Sequence, residues 1–202
     1  MSTLIRIIVA VIAIAVMAVR TAFRRRAPGS RGALKVRESL PLVLQGISLA
    51  LGPVSLFVFI AYSGLIRQFA LPVPDWTRLI GAGLGISSVG LLSWSHASLG
   101  KEFSPFLEVR EGQRLITNGP YRFVRHPIYA SYLLQILGWV LMTANAAVAA
   151  AWLPMAAALP ARIFIEERML EERFGGLYAE YRANTGKIIP GMRRRRARRS
   201  AK

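Results

Sequence analysis

The chain has 202 residues, of which 53% are hydrophobic and only 18% are charged, a composition typical of an integral membrane protein. Its formal net charge is +17, which on a soluble protein would indicate binding to nucleic acid. The cations instead gather at the ends of apolar stretches, so we expect no nucleic-acid partner. The chain contains no Cys, which excludes disulfides, thiolate metal sites and a Cys nucleophile.

Five apolar stretches approach the ~20 residues that a helix needs to cross ~30 Å of hydrocarbon. They are residues 3 to 19, 40 to 63, 79 to 99, 128 to 144 and 146 to 165. The stretches are apolar on all sides, whereas the helices of a soluble bundle would be amphipathic. The sequence therefore predicts an all-α integral membrane protein with about five transmembrane helices.

The segments between and after these spans have patterns of their own. A basic linker is predicted over residues 20 to 38, and a structured loop or broken helix over residues 100 to 127. Only Thr143-Ala144-Asn145 separates the last two spans, which predicts a tight helical hairpin. Apolar residues at helical spacing continue the fifth span into a cytoplasmic helix, interrupted near Gly175-Gly176. Residues 193 to 202 carry too much like charge to fold alone and are predicted to be a disordered tail.

Glycines also recur inside the third span. Gly81, Gly83 and Gly85 do not form a dinucleotide-binding motif, because they lie within an apolar helix. Small residues at such positions allow helices to approach closely in a membrane. We therefore expect this span to pack tightly against a neighbour.

The charges also predict a topology. If five helices alternate across the bilayer, 24 of the 27 Lys and Arg residues fall on one side, together with nine of the ten acidic residues. By the positive-inside rule that side is cytoplasmic, so the N-terminus lies outside and the C-terminus inside.

Residues 119 to 129, Gly-Pro-Tyr-Arg-Phe-Val-Arg-His-Pro-Ile-Tyr, form a polar and aromatic block directly before the fourth span. Pro127 disfavours helix at His126 and suits the first turn of the helix that follows. The loop amides and the helix N-terminus would together form a pocket for an anion such as a carboxylate. The alternative is a helix cap and a basic membrane anchor. With two His and no Cys, we expect no metal site.

A second polar group lies where the fifth span leaves the apolar layer. Arg162 and Glu166 are four residues apart and share a helical face, with Glu167 next to it. A modest ion pair would account for the spacing. Ionisable groups at that depth are costly, however, which also makes them candidates for function.

The stretch LITNGPYRFVRHPIYASYLL (115 to 134), followed by RIFIEERMLEERFGGLYAEY (162 to 181) and IIPG (188 to 191), resembles the isoprenylcysteine carboxyl methyltransferase family. These integral-membrane enzymes are related to phospholipid N-methyltransferases. The resemblance implies S-adenosylmethionine as methyl donor, bound on the cytoplasmic side, and a lipophilic acceptor that arrives through the bilayer. It divides the chain into N-terminal helices and linker (1 to 78), a methyltransferase core (79 to 192) and the basic tail (193 to 202).

The resemblance also implies site residues. Arg162 matches the position that meets the acceptor, and Arg162 and Glu167 are the predicted catalytic residues. Ser131 and Phe103 depart from the family pattern, where Gly and Trp are usual, and both affect the acceptor tunnel more than the cofactor. The predicted cofactor-binding residues are Gln113, Arg114, Leu115, Ile116, Tyr121, His126, Pro127, Ile128, Tyr129 and Glu166.

The identity of the reaction depends on the acceptor. Arg162 favours carboxyl O-methylation, because a cation can hold a carboxylate without protonating it. An amine acceptor would have to lose a proton, for which Glu167 or His126 could serve. The alternatives are a phospholipid amine N-methyltransferase, an NADPH-dependent sterol-type membrane reductase, which also carries an Arg-His-Pro block, and a non-enzymatic membrane scaffold. Membrane lipids are expected partners in each case.

Overall fold

The computed structural model describes residues 3–26, 34–35, 39–103, 108–109 and 112–191. The predicted tail, residues 193 to 202, lies outside them. The all-α membrane fold is confirmed, although two short strands, β1 (Leu34–Lys35) and β2 (Glu108–Val109), also pair antiparallel. The helices are α1 (Thr3–Arg26), α2 (Ser39–Ala61), α3 (Trp76–Leu99), α4 (Pro127–Thr143), α5 (Ala146–Phe174) and α6 (Gly176–Asn184).

The five predicted spans correspond to α1 to α5, but the helices differ in how well they suit a bilayer. Within the described residues, α1, α2 and α5 are long and apolar enough to cross a membrane. α4 is apolar but has only 17 residues, about 26 Å of helix. α3 has 24 residues, but its serines, glycines and His96 make it less apolar. Large apolar side chains such as Ile14, Phe57 and Leu153 remain exposed on α1, α2 and α5, as expected for a surface that faces lipid.

Small residues bring the backbones of α3 and α4 together, as predicted for the third span. A Cβ atom added to Gly81 would lie 2.6 Å from the backbone nitrogen of Met142. A Cβ atom on Gly138 would lie 3.0 Å from the carbonyl oxygen of Gly81. Gly83 differs, because nothing lies within 4 Å of its added Cβ. The contact therefore depends on Gly81 and Gly138 and leaves no room for a side chain between the helices.

The two N-terminal helices pack against this core. Gly52 of α2 faces the ring of Trp152 in α5, where an added Cβ would approach to 2.6 Å. The buried Ser48 hydroxyl accepts a hydrogen bond of 2.8 Å from the backbone nitrogen of Met155. Gly85 of α3 faces the side chain of Ile12 in α1. α1 and α2 therefore belong to the same bundle as α3 to α5.

The predicted hairpin between α4 and α5 is confirmed. Ala144 adopts the left-handed conformation (φ 44°), and Asn145 caps α5 by accepting hydrogen bonds from the backbone nitrogens of Ala147 (3.0 Å) and Val148 (3.3 Å). The Asn145 side-chain amide also donates to the carbonyl of Ile66 at 2.8 Å. The buried Asn145 side chain therefore caps α5 and links the hairpin to the connection between α2 and α3.

The C-terminal ends of α1 and α5 can be compared with the ends that the sequence predicted. α1 continues to Arg26, so the prediction of a linker from residue 20 is wrong at its start, and residues 27–33 and 36–38 lie outside the described residues. Arginine has a good helix propensity and is favoured near a helix C-terminus, which accounts for the extension. The predicted interruption is confirmed at Gly175 (φ 50°), where α5 ends and α6 begins.

Candidate active site

The polar block before α4 folds as a short turn against α3. A 3-10 turn spans Gly119–Arg122, and Pro127 is the first residue of α4, as predicted. Gly119 has a φ of 58°, and a Cβ atom there would collide with the Ser98 hydroxyl. Glycine is therefore required at this position both by its conformation and by the closeness of α3.

The segment after α6 runs beside the loop and is hydrogen-bonded to its backbone. The backbone nitrogen of Arg125 donates to the carbonyl of Gly186 at 2.8 Å, and that of His126 donates to the carbonyl of Lys187 at 3.0 Å. The Arg125 guanidinium also donates to the carbonyl of Thr185. The C-terminal segment thus fixes the backbone of the loop immediately before α4.

A buried ion network joins this loop to α5. The Nε and Nη2 atoms of Arg125 both donate to Oε1 of Glu167, at 3.0 and 2.7 Å. The two side chains are only 8% and 12% exposed. Nζ of Lys187 lies 3.3 Å from the other carboxylate oxygen of Glu167. Each buried charge therefore has a close partner, as burial requires.

His126 lies between the two carboxylates of α5. Its Nε2 is 3.2 Å from Oε1 of Glu167, and its Nδ1 is 3.8 Å from Oε2 of Glu166. Because a carboxylate held by Arg125 can only accept, Nε2 carries a proton and donates to Glu167. The imidazole, 3% exposed, also stacks on Tyr129 with ring centroids 5.6 Å apart. The contact with Glu167 and the stacking on Tyr129 therefore fix the orientation of the imidazole.

A cavity of about 360 Å³ opens beside His126. Its loop wall consists of residues 113–116, 121 and 125–129 with residues of α5 and α6, and its N-terminal wall consists of residues of α1 and α2. Arg162 also lines the cavity, whereas Glu167 lies behind His126 and does not. The ten residues predicted to bind the cofactor all lie on the wall: Gln113, Arg114, Leu115, Ile116, Tyr121, His126, Pro127, Ile128, Tyr129 and Glu166.

Arg162 and Glu166 do not form the ion pair that their spacing suggested. The Tyr129 hydroxyl interacts with both side chains, and Glu166 approaches His126 instead. Arg162 is 6% exposed, and its Nε has no hydrogen-bond partner among the described residues. Because Arg162 also lines the cavity, its guanidinium is suited to hold an anionic group there.

Comparison with known proteins agrees with the resemblance seen in the sequence. Residues 76–176, half of the chain, match the model of the phospholipid methyltransferase family. The chain belongs to this family. The matched region of this family member contains α3, α4, α5 and the loop wall up to residue 129, whereas α1 and α2 precede it.

Two relatives of this chain have names that describe different functions. The cobalt-zinc-cadmium resistance protein CzcN of Cupriavidus metallidurans is 39% identical over 108 residues, 52% of this chain and 49% of that protein. The protein-S-isoprenylcysteine O-methyltransferase B of Arabidopsis thaliana is 28% identical over 166 residues, 79% of this chain and 81% of that protein. The chain thus spans about half the length of CzcN and most of the plant enzyme. Among the described residues, no group of three His, Asp or Glu side chains could hold a metal ion.

A solved structure shares the fold. The eukaryotic intramembrane Ras methyltransferase ICMT (isoprenylcysteine carboxyl methyltransferase) superposes with a TM-score of 0.52 at 24% identity, over 74% of this chain and 51% of that chain. The family member described here therefore has the helical architecture of a known membrane protein.

The tyrosine hydroxyls of the cavity are neutral donors. Burial, and secondarily Glu166, raises the pKa of Tyr121 well above its usual value. Burial likewise raises the pKa of Tyr178 and of Tyr181. The Tyr181 hydroxyl donates to the carbonyl of Tyr121 at 2.6 Å. These groups stay protonated at neutral pH, so they shape the cavity and donate hydrogen bonds but do not act as bases.

The sequence did not identify the N-terminal wall. Leu42, Gly46 and Leu49 share one face of α2, and Arg20 and Arg24 share one face of α1. Their helical spacing was visible, but it does not reveal which helix they face. Phe103, which the sequence linked to the acceptor tunnel, lines the cavity, and the other unforeseen wall residues are Gln45, His96, Leu99, Glu102, Arg125, Tyr132, Met169, Leu170, Tyr178 and Tyr181.

Proposed function

We propose that this protein is an S-adenosylmethionine-dependent membrane methyltransferase that methylates a carboxylate on a lipophilic acceptor. The observation that carries the proposal is that the His126–Tyr129 block, Glu166 and Arg162 line the same cavity. The family match and the methyltransferases among the relatives support methyl transfer over a sterol-type reductase or a scaffold.

The wall residues fit this donor. A cavity of about 360 Å³ lies within the range of small-molecule sites. Glu166 and the rings of Tyr121 and Tyr129 suit a cationic ligand, and the loop amides before α4 suit a carboxylate. When bound, S-adenosylmethionine supplies a methyl group activated by a positively charged sulfur. The protein has to position the two reactants and exclude water, and no covalent nucleophile is needed.

Arg162 is the proposed acceptor-binding residue. It is buried, it lines the cavity, and it lies one helical turn from Glu166. A carboxylate acceptor is already nucleophilic, so a cation that never gives up its proton holds it in place without reducing its reactivity. The part of the guanidinium that lines the cavity provides the hydrogen bond.

Glu167 takes a different part from the one that the sequence suggested. It does not line the cavity, and it binds Arg125, His126 and Lys187. We assign it as a positioning residue, which holds His126 and the C-terminal segment in register with the loop.

Methylation of an amine is the second candidate, because Glu166 lines the cavity and its side chain is 34% exposed. A carboxylate so placed can accept the proton that an amine must lose. The family's phospholipid methyltransferase description is consistent with such an acceptor.

The proposed orientation places the cavity in the cytoplasm and the N-terminus outside. It rests on the distribution of charge, because 24 of the 27 cations lie on the side of the loop and the C-terminal segment. The cavity then opens towards the compartment that supplies a soluble cofactor.

Binding of S-adenosylmethionine to the purified chain in lipid nanodiscs tests the site. We expect His126→Ala and Glu166→Gln each to weaken binding by about tenfold or more, the effect of losing a charge-assisted hydrogen bond. Glu172→Gln is the matched control, since Glu172 is an exposed carboxylate on the same helix outside the cavity. Unchanged affinity in both cavity variants would refute the cofactor assignment.

The chemistry of the acceptor is tested with labelled donor and membranes that contain the protein. A methyl ester releases its label in mild base, whereas a methylated amine retains it. Arg162→Leu should abolish ester formation and leave donor affinity within about threefold, because Arg162 is assigned to the acceptor. Base-stable label would replace the carboxylate with an amine as the acceptor.

A further inference from the structure

Two arginines of α1 line the cavity although α1 precedes the region that matches the family. Arg20 and Arg24 are four residues apart and lie on one face of the helix. Arg25, the next residue, is exposed and does not line the cavity. Arg24 is exposed as well, so Arg24 differs from Arg25 in lining the cavity and not in its overall exposure.

Aromatic contacts hold this end of α1 in place. The Arg20 guanidinium lies 5.5 Å from the centre of the Tyr132 ring, a distance suited to a cation–π contact. Phe23 stacks on His96 of α3 with ring centroids 4.9 Å apart, and Phe103 packs against the same imidazole. The two arginines thus lie on a helix whose end packs against α3 and α4.

The acidic residues of the cavity do not neutralise these arginines. Glu102 pairs with Arg114, whose Nε lies 3.7 Å away, and Glu166 approaches His126. Neither Arg20 nor Arg24 has an ion-pair partner in the part of the chain that the structure describes. Two neighbouring cations on one wall attract an anion. A bound anion in turn offsets the repulsion between the two cations.

The position of this pair relative to Arg162 indicates what the anion belongs to. Arg20 contacts Tyr132, Arg162 contacts Tyr129, and the two rings are neighbours with centroids 6.4 Å apart. Two adjacent rings therefore separate the reacting end of the cavity from Arg20. The apolar face of α2, with Leu42 and Leu49, lines the same space and suits a hydrocarbon chain.

We propose that Arg20 and Arg24 form a second anion subsite, which binds a phosphate or carboxylate that the lipophilic acceptor carries in addition to the group that is methylated. This inference rests on the proposed function and narrows its substrate class to amphiphiles with a second anionic group. Arg20 and Arg24 are specificity-determining residues in this assignment, and they take no part in holding the methyl donor.

The test uses the full chain in phosphatidylcholine nanodiscs, with dodecyl phosphate as the probe amphiphile and dodecanol as its uncharged counterpart. We expect the wild type to bind dodecyl phosphate more tightly than dodecanol. Arg20→Gln and Arg24→Gln should each weaken phosphate binding by about tenfold, the effect of one charge-assisted hydrogen bond, and leave dodecanol binding unchanged. Arg20→Lys should restore part of the loss, because it restores the charge.

Arg25→Gln is the matched control, since it removes the same charge from the same helix outside the cavity. An equal loss in Arg25→Gln would overturn the subsite in favour of general attraction to a basic surface. Inorganic phosphate and phosphatidylglycerol nanodiscs separate the possible sources of the anion. Competition by inorganic phosphate as strong as that by dodecyl phosphate would assign the site to a free anion, and competition by phosphatidylglycerol alone would assign it to a resident lipid; either result overturns an acceptor subsite.

Donor binding separates failure of this inference from failure of the proposed function. We expect S-adenosylmethionine affinity to be unchanged in Arg20→Gln and Arg24→Gln. A loss there would assign the arginines to the carboxylate of the donor and overturn the inference while supporting the cofactor. If the wild type binds no donor but still shows arginine-dependent phosphate binding, the proposed function fails and the anion site remains. Thermal unfolding that matches Arg25→Gln confirms that the variants are folded.

Discussion

The two walls of the cavity handle their charges in opposite ways. On the loop wall, Arg125 binds Glu167 at 2.7 Å, and His126 and Lys187 bind the same carboxylate. On the N-terminal wall, Arg20 and Arg24 face the cavity with no ion-pair partner among the described residues. The buried charges of Arg125 and Glu167 are thus satisfied within the protein, whereas Arg20 and Arg24 remain available to a ligand.

Under the proposed function, this difference explains how one cavity can serve two reactants. A wall whose charges are already paired keeps its shape before binding, which lowers the cost of ordering a cofactor that is the same in every turnover. A wall with unpaired cations instead selects for an acceptor that carries an anionic group to pair with them. The variants below test this contrast by changing one wall at a time.

The largest effect is expected from Glu167→Ala. It leaves Arg125 buried without its carboxylate, which typically costs about 3–5 kcal/mol. The free energy of unfolding, measured in lipid with denaturant, should fall by this amount. Glu167→Gln should cost less, because the amide oxygen still accepts from Arg125.

Arg24→Gln is the matched change on the N-terminal wall and should alter the free energy of unfolding by less than about 0.5 kcal/mol. If Arg24→Gln destabilises the protein as much as Glu167→Ala, the two walls do not differ in the way described here.

A smaller effect is expected at the helix contacts behind the walls. A Cβ atom at Gly81 meets the backbone of α4, which cannot yield, whereas one at Gly85 meets the end of the Ile12 side chain in α1 at 3.0 Å. Gly81→Ala should therefore cost about 1–3 kcal/mol, and Gly85→Ala less. Thermal unfolding of the two variants makes the comparison.

Gly83→Ala controls for the change of residue type, since its Cβ would enter open space. A Gly85→Ala variant that is less stable than Gly81→Ala would show that α1 is held as rigidly as α4.

The elements that the sequence predicted correctly are those with local signals. The start of α4 follows from Pro127, the hairpin from the three residues before Ala146, and the break after α5 from Gly175. In each case the responsible residue acts on its own backbone or on that of a near neighbour. The residues predicted to bind a cofactor were reached through a resemblance to a family, and the cavity brings them together.

The features that the sequence did not reveal depend on distant partners. Arg125 was one cation in a basic block, and only the fold shows that it is bound to Glu167, which lies 42 residues along the chain. The same holds for Arg20, whose contact with Tyr132 crosses from α1 to α4. Charge and spacing show that such residues share a face, but they do not show what that face meets.

A small effect is also expected from Arg114→Gln, which tests whether pairing on the loop wall matters only where it is buried. Nε of Arg114 lies 3.7 Å from Glu102, but the Arg114 side chain is 83% exposed. Its backbone nitrogen also donates to Glu102 at 3.3 Å, a contact that the substitution keeps. The loss should stay below about 1 kcal/mol and shrink as salt is added, because water and ions screen an exposed pair. Unfolding at low and high ionic strength measures it, and a salt-independent loss as large as that of Glu167→Ala would mean that burial does not set the strength of this wall.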